Sequence, residues 1–478
     1  MPGGRGGARR TVTINKGVND GAPEDPDDRV GREHGPIAPT RSPDTGPIPD
    51  MRIGFFIDDY LPSVHGVATS TAAFRAGLEK RGHEVFVVAP QVEGHIETDD
   101  HIIRVPSSKS KVFEERDLAK ILPGLRRKFD QYHFDVVHSQ TQFFLGVLAR
   151  NIAIRQGIPH VTTIHTLYTE LLDDYPFAVT AGLLAVSVAY PIALRTPPVM
   201  LKMPKSEGGG RLTRVRPKEA IKGTLWQHGL RLTAAFANKC DACISPSQHL
   251  ALSLLRGGGL SSPCIVLPNG LDTSRYRRAR PEDSPVVKAP GEQLIVCVAR
   301  LSPEKRQMVL VDAIAHLRDR KVKLVLVGGG PYEEELRMRA QELGVADKVV
   351  ILGMRTPEEV AALLAQADLF ALASYHFDNQ PMVILEASAA GLPTVYCDER
   401  LTECLSERNA VLTDGINGPD FARTIASLLD DPQRMRALSD GARQAAQDFD
   451  SAAMTARLEN LYHRLIVGLS SKDRKSVV

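Results

Sequence analysis

From Met51 to Cys397 the chain alternates short apolar runs with longer helix-like stretches, and it does so twice. The first series is "MRIGFFID", a helical stretch over roughly 66–80, "HEVFVVAP", "DVVHSQ", "HVTTIHT", "DACISPS" and "CIVLPNG". A linker dense in charge and proline, "RYRRARPEDSPVVKAPGEQ", interrupts it, and the pattern restarts with "LIVCVARL", "KLVLVGGGP", "KVVILGM", "DLFALAS" and "PTVYC". Apolar runs of strand length separated by helices require parallel sheets covered on both faces. The expectation is therefore α/β, with two Rossmann-like, doubly wound domains in tandem, spanning 51–280 and 281–450. A last helical stretch, 451–467, has no strand after it and is expected to pack back on the body, with 468–478 as a flexible tail. Residues 1–50 are rich in Gly, Pro and Asp without an apolar h-region, and are expected to form a disordered tail.

Two such domains set the carboxyl ends of two sheets face to face across a cleft, where open α/β sheets bind ligands. A formal charge of +2 gives no global field for nucleic acid. Six cysteines lie scattered in apolar contexts, which points to a reducing compartment. Cys240 and Cys243 form a CxxC with no second CxxC or nearby His, so they are expected to be small buried residues, and no metal-ligand spacing is present.

"VARLSPEK" ends a strand with Arg300 and opens the next helix with Lys305. A guanidinium, an ammonium and a helix N-terminus at one spot suit a diphosphate; the competing reading is two solvated surface cations. Opposite, "LPSVHGVATS" brings His65 and Gly66 to the cleft, and Gly66 lets the backbone approach a phosphate. Gly328 to Gly330 read equally as a tight turn or a ligand contact, and no GxGxxG or P-loop signature occurs. After "DLFALAS", the run "FDNQPMVILEASAAGLP" carries Asp378, Asn379 and Gln380 in a loop, Pro381 as first helical residue, and Glu386 on the second helical turn. Carboxylates accept from hydroxyls, so Glu386 suits a ribose and Asp378 a hexose, with a diphosphate between. The competing readings are a helix-start acid for Glu386 and an Asx turn for Asp378. His165, in "TTIHTLYTE", ends another strand at the same edge, where it serves either the ligand or a loop-tethering hydrogen bond.

Together these residues resemble the retaining GT-B glycosyltransferases of the family 4-like group. The paired-acid motif, commonly Glu-x7-Glu, stands here as Asp378-x7-Glu386, and "VARLSPEK", "LPNGLD" and "EASAAGLPTV" match three further motifs in family order. The resemblance implies that Arg300 and Lys305 bind the donor diphosphate, Glu386 the ribose, and Asp378 with the backbone of Asn379 to Met382 the transferred sugar. It also implies that Gly66 approaches the phosphates and that His165 lies against the sugar. Same-face attack, with the leaving phosphate oxygen taking the acceptor proton, needs neither metal nor cofactor. Two departures stand out: Asp378 is one methylene shorter than the usual Glu, and "FDNQPMV" replaces an acidic, glycine-bearing loop.

"VHGVATS" and "IHTLYTELLDDYP" resemble the diacylglycerol glucosyltransferases and related lipid glycosyltransferases. Residues 175–194 carry no charge, and 195–222 hold eight basic and two acidic residues, so 175–222 is expected to meet an anionic membrane surface. The competing reading is a buried helix followed by a solvated loop. The expected function is transfer of a hexose from a UDP-glucose or GDP-mannose type donor to a membrane lipid such as diacylglycerol, by a cytoplasmic protein peripheral at the inner face. The alternatives are a soluble sugar or glycan acceptor, or a non-catalytic sugar-nucleotide-binding adaptor.

Overall fold

The computed structural model describes residues 48–62, 66–109, 117–120, 124–165, 167, 176–199 and 217–475. The expected tail over 1–50 lies outside them apart from its last three residues, as does His65.

The first domain is a seven-stranded parallel sheet. Its strands are β1 (Arg52–Phe56), β2 (Glu84–Pro90), β3 (Ile102–Val105), β6 (Val136–Ser139), β7 (His160–Thr163), β8 (Ala242–Ser245) and β9 (Cys264–Val266), in the order β3-β2-β1-β6-β7-β8-β9. A two-stranded antiparallel ribbon, β4 (Ser107–Lys109) with β5 (Asp117–Ala119), stands beside it. The second domain is a six-stranded parallel sheet ordered β12-β11-β10-β13-β14-β15. Here β10 is Gln293–Val298, β11 Val322–Val327, β12 Val349–Ile351, β13 Leu369–Leu372, β14 Thr394–Tyr396 and β15 Ala410–Leu412. Strands such as β6 and β13 are buried at every position, which is why they read as continuous rather than alternating patterns. In each parallel sheet the order of strand addition reverses once, between β1 and β6 and between β10 and β13. Those two switch points are where ligands enter doubly wound sheets.

The domain boundary falls earlier than position 280. The short helix Ser274–Arg278 belongs to the second domain, because Tyr276, 5% exposed, packs in one core with Leu294 and Leu364. Val286 joins the same core, so the charged linker is strapped to that domain through Tyr276 and Val286. The chain crosses between domains where Leu271 bridges Asp450.

The last helix runs Ser451–Lys475, continuing through Gly468 beyond the expected end at 467. It packs on the first domain: Met454, Leu458, Leu461 and Tyr462 share a core with Ile53, Phe55 and Leu78. Glu459 accepts from Arg81 at 2.5 Å and pairs with His83 at 2.8 Å, while the Tyr462 hydroxyl meets His138 Nδ1 at 2.6 Å.

The apolar run at 175–194 forms the helix Pro176–Leu194 with two unlike faces. Val179, Leu183, Tyr190 and Leu194 pack against Leu232 and Phe236. The opposite face carries Leu184, Val188 and Ile192, which are 62%, 71% and 79% exposed. Among the described residues, no helix is long and apolar enough to cross a membrane.

Candidate active site

The second switch point is assembled from the loop after β10 and the loop after β13. Gly328 (φ 137) and Gly330 sit so close to the β10 loop that a Cβ on either would collide with the carbonyl oxygens of Ala299 and Leu301. That packing makes a tight turn of the stretch and accounts for glycine at 328 and 330. It also fixes the stretch carrying Arg300, whose carbonyl accepts from Gln307 Nε2 at 2.7 Å. Lys305 does not open the helix. It closes the 3-10 turn Pro303–Lys305, Arg306 takes a left-handed conformation (φ 53), and the helix begins at Gln307. Arg306 is held there by hydrogen bonds to the carbonyls of Ala373, at 3.4 Å, and Ile416, at 2.7 Å.

From that turn Lys305 reaches the loop after β13. Its Nζ donates to Asp378 Oδ1 at 2.6 Å and lies 4.7 Å from the centroid of the Phe377 ring. The two side chains are only 16% and 11% exposed. The second carboxylate oxygen, Asp378 Oδ2, is buried without a hydrogen-bond partner among the described residues. A buried acceptor left unmatched costs about 1 to 3 kcal/mol, so an orphan at a switch point marks a place for a ligand hydroxyl.

Pro381 is the N-cap rather than the first helical residue, its ψ of 124° being extended, and the helix is Met382–Ala389. Met382 is buried. Glu386 faces the Tyr276 hydroxyl: burial pushes its carboxyl pKa up, and the Tyr276 hydrogen bond and the nearby Arg275 charge pull partly against that. A core helix tolerates this carboxylate because it has a phenol partner.

On the first-domain side, a Cβ on Gly66, the first residue of helix Gly66–Glu79, would meet nothing within 4 Å among the described residues. This helix start faces open space. His165 follows β7, and its Nε2 meets Gln140 Oε1 at 2.8 Å; Gln140 is buried at the end of β6. The His165 carbonyl accepts from Asn379 Nδ2 at 3.1 Å, across the cleft. Gln380 Oε1 accepts from the Asn269 N–H at 2.6 Å. Hydrogen bonds thus join Lys305, Asp378, Asn379, Gln380 and His165 around one cleft, with Arg300 on the adjoining loop and Glu386 further down its helix.

Three polar groups at the cleft escaped the sequence reading. Gln140 was legible only as the last residue of the strand "DVVHSQ". Tyr276 sat in an apparent linker. Asp58, just past β1, accepts from Thr141 Oγ1 at 2.5 Å and from Leu145 N at 3.0 Å, and burial pushes its carboxyl up to about 6. Cys240 and Cys243 are buried free thiols, with Cys240 Sγ 3.4 Å from His160 Nδ1. Among the described residues no cluster suited to a metal occurs.

Two facing Rossmann-like domains with this cleft define a GT-B fold. In comparison with known proteins, residues 64–275 match the model for Glycosyltransferase Family 4 and residues 279–445 that for Glycosyl transferases group 1. The alpha-monoglucosyldiacylglycerol synthase of Streptococcus pneumoniae is 30% identical over 72% of this chain and 70% of its own. The enzyme of the same name from Acholeplasma laidlawii is 25% identical over 87% of this chain and 98% of its own. The crystal structure of Anabaena HepE in complex with UDP superposes with a TM-score of 0.63 at 20% identity, covering 86% of this chain and 99% of that one. The chain belongs to the family 4-like GT-B glycosyltransferases.

Proposed function

We propose that this protein is a retaining hexosyltransferase that takes a nucleotide-diphosphate sugar and glycosylates a membrane lipid of diacylglycerol type. The observation that carries the reading is the Lys305–Asp378 pair with its buried, unmatched Asp378 Oδ2. In the proposed complex a sugar hydroxyl donates to that oxygen, Lys305 and Arg300 meet the diphosphate, the N-terminus of the Gly66 helix approaches it from the first domain, and Glu386 holds the ribose. The anomeric carbon–oxygen bond to the diphosphate breaks as the acceptor oxygen attacks from the same face. The acceptor proton passes to the leaving phosphate oxygen. Arg300 and Lys305 stabilise the charge that develops there, an effect worth roughly 3 to 4 kcal/mol per donor group. His165, oriented by Gln140, lies against the sugar. This scheme assigns no step to a metal or cofactor.

The names of the two synthases support the lipid acceptor, and the exposed stripe of Leu184, Val188 and Ile192 supports membrane contact. Inserted in a bilayer surface, the three side chains contribute about 4 to 6 kcal/mol. The basic residues of 195–222, most of which lie outside the described residues, add about 1 kcal/mol each near an anionic leaflet. The proposed location is the cytoplasmic face of the membrane.

The test is donor-dependent glycolipid formation on diacylglycerol-containing vesicles, read by chromatography, with Asp378→Asn as control. Wild-type product with retained anomeric configuration, lost in the variant, supports the reading. Transfer only to soluble sugars would redirect it to the soluble-acceptor alternative, and binding without turnover to the adaptor. Thermal stabilisation by UDP against GDP selects the base.

A further inference from the structure

The loop after β13 carries two neutral amides, Asn379 and Gln380, whose side chains turn toward the first domain. Asn379, 8% exposed, donates through Nδ2 to the main-chain carbonyl of His165 at 3.1 Å. Gln380 grips the peptide of Asn269 at both ends, accepting from its N–H at 2.6 Å and donating to its carbonyl at 3.4 Å. Asn269 Oδ1 in turn accepts from Ser70 Oγ at 2.5 Å, and Ser70 is buried on the helix that Gly66 begins. Two consecutive side chains of the second domain therefore reach the strand end bearing His165 and the residue that fixes the Gly66 helix.

We propose that Asn379 and Gln380 are positioning residues: they form a latch that holds the cleft closed and sets His165 and the Gly66 helix in register with Asp378 and Lys305. Their side chains serve the interface between domains, while reading of the sugar falls to Asp378. The inference rests on the cleft being a nucleotide-sugar site, and it accounts for the departure of "FDNQP" from the usual glycine-bearing loop. Amides suit the task physically. Each supplies a donor and an acceptor, so a peptide can be matched at two points without burying a charge. A neutral hydrogen bond has a small net value, which lets the cleft open for substrate and product while biasing it shut. Because Asn379 binds a main-chain carbonyl, the latch is independent of the imidazole of His165.

Two measurements test the proposal. Spin labels on single cysteines introduced at the exposed positions Ile154 and Met338, one in each domain, report the closed population by pulsed distance measurement; all six native cysteines are buried. Wild type is expected to give a narrow distribution, and the double variant Asn379→Ala, Gln380→Ala a broadened one shifted to longer distance. Gln380→Glu keeps the acceptor for Asn269 N–H but sets a charge against the Asn269 carbonyl, and is expected to broaden the distribution as Gln380→Ala does. An unchanged distribution in the double variant would overturn the latch. This arm needs no turnover, so it decides the inference even if the glycosyl-transfer reading fails. In the second arm, Asn379→Ala and Gln380→Ala are each expected to lower kcat about tenfold while donor KM stays within about twofold. A raised donor KM at unchanged kcat would assign these side chains to sugar recognition and sink the proposal.

Discussion

Lys305 and Asp378, 73 positions apart in the sequence, meet at 2.6 Å where two loops converge at the switch point of the second sheet. The ammonium is matched by one carboxylate oxygen, and the other oxygen is left buried and unmatched. This asymmetry holds Asp378 in place through one oxygen and leaves the other as the acceptor that takes a sugar hydroxyl in the proposed complex.

Asp378→Asn keeps the loop but weakens the ionic half of the pair. The expected result is a loss of at least tenfold in affinity for the nucleotide sugar with affinity for the bare nucleoside diphosphate within about threefold. Calorimetric titration of both ligands checks it; equal losses would show that Asp378 does not face the sugar.

Removing Glu459 leaves the guanidinium of Arg81 and the imidazole of His83 without their shared carboxylate. Burial acts to raise the pKa of that carboxyl, but the hydrogen bonds and charges of Arg81 and His83 outweigh it and hold it below the usual range. Glu459→Ala is expected to lower stability by about 1 to 3 kcal/mol, read by urea denaturation near neutral pH. No change would mean that the last helix is held by its apolar face alone.

Asp58 gives a pH signature of opposite sign. It binds its proton more tightly folded than unfolded, so its contribution favours folding in acid and fades as pH rises from about 4 through about 6. Asp58→Asn keeps an acceptor for the Leu145 N–H, reverses the contact with Thr141 so that Nδ2 donates to Oγ1, and cannot ionise. The stability of the variant relative to wild type is expected to rise by up to about 3 kcal/mol between pH 4 and pH 6 and then level off. Parallel unfolding curves across that window would show that the carboxyl is not shifted.

Leu184→Asp, Val188→Asp and Ile192→Asp combined change side chains that project from the outer face of a packed helix. Vesicle flotation is expected to be abolished, with the midpoint of thermal unfolding within a few degrees of wild type. Unchanged flotation would place any membrane contact elsewhere.

Gly328 has room for no side chain, because a Cβ there runs into the Ala299 carbonyl. Gly328→Ala is expected to shift the β10 loop and cost more than 1 kcal/mol of stability, together with weaker diphosphate binding. A variant as stable as wild type would show that the turn relaxes freely.

The sequence by itself determined the two parallel sheets, the helices between them and the strand ends to which the polar residues belong. That information is local: buried strands are continuous apolar runs, and the residue after such a run must lie at the sheet edge. His165, Arg300 and the acids of the paired motif could therefore be placed at a cleft from one-dimensional pattern alone. Tertiary structure decided which of them touch. It paired Lys305 with Asp378, gave Glu386 a partner in Tyr276, turned Asn379 and Gln380 to the first domain, and assigned Gly328 and Gly330 to packing. It also moved the domain boundary, because Tyr276 finds its core only through contacts far away in the chain. Hydrogen bonds between loops depend on loop conformation and on how two domains face each other, and neither leaves a periodic trace in the sequence.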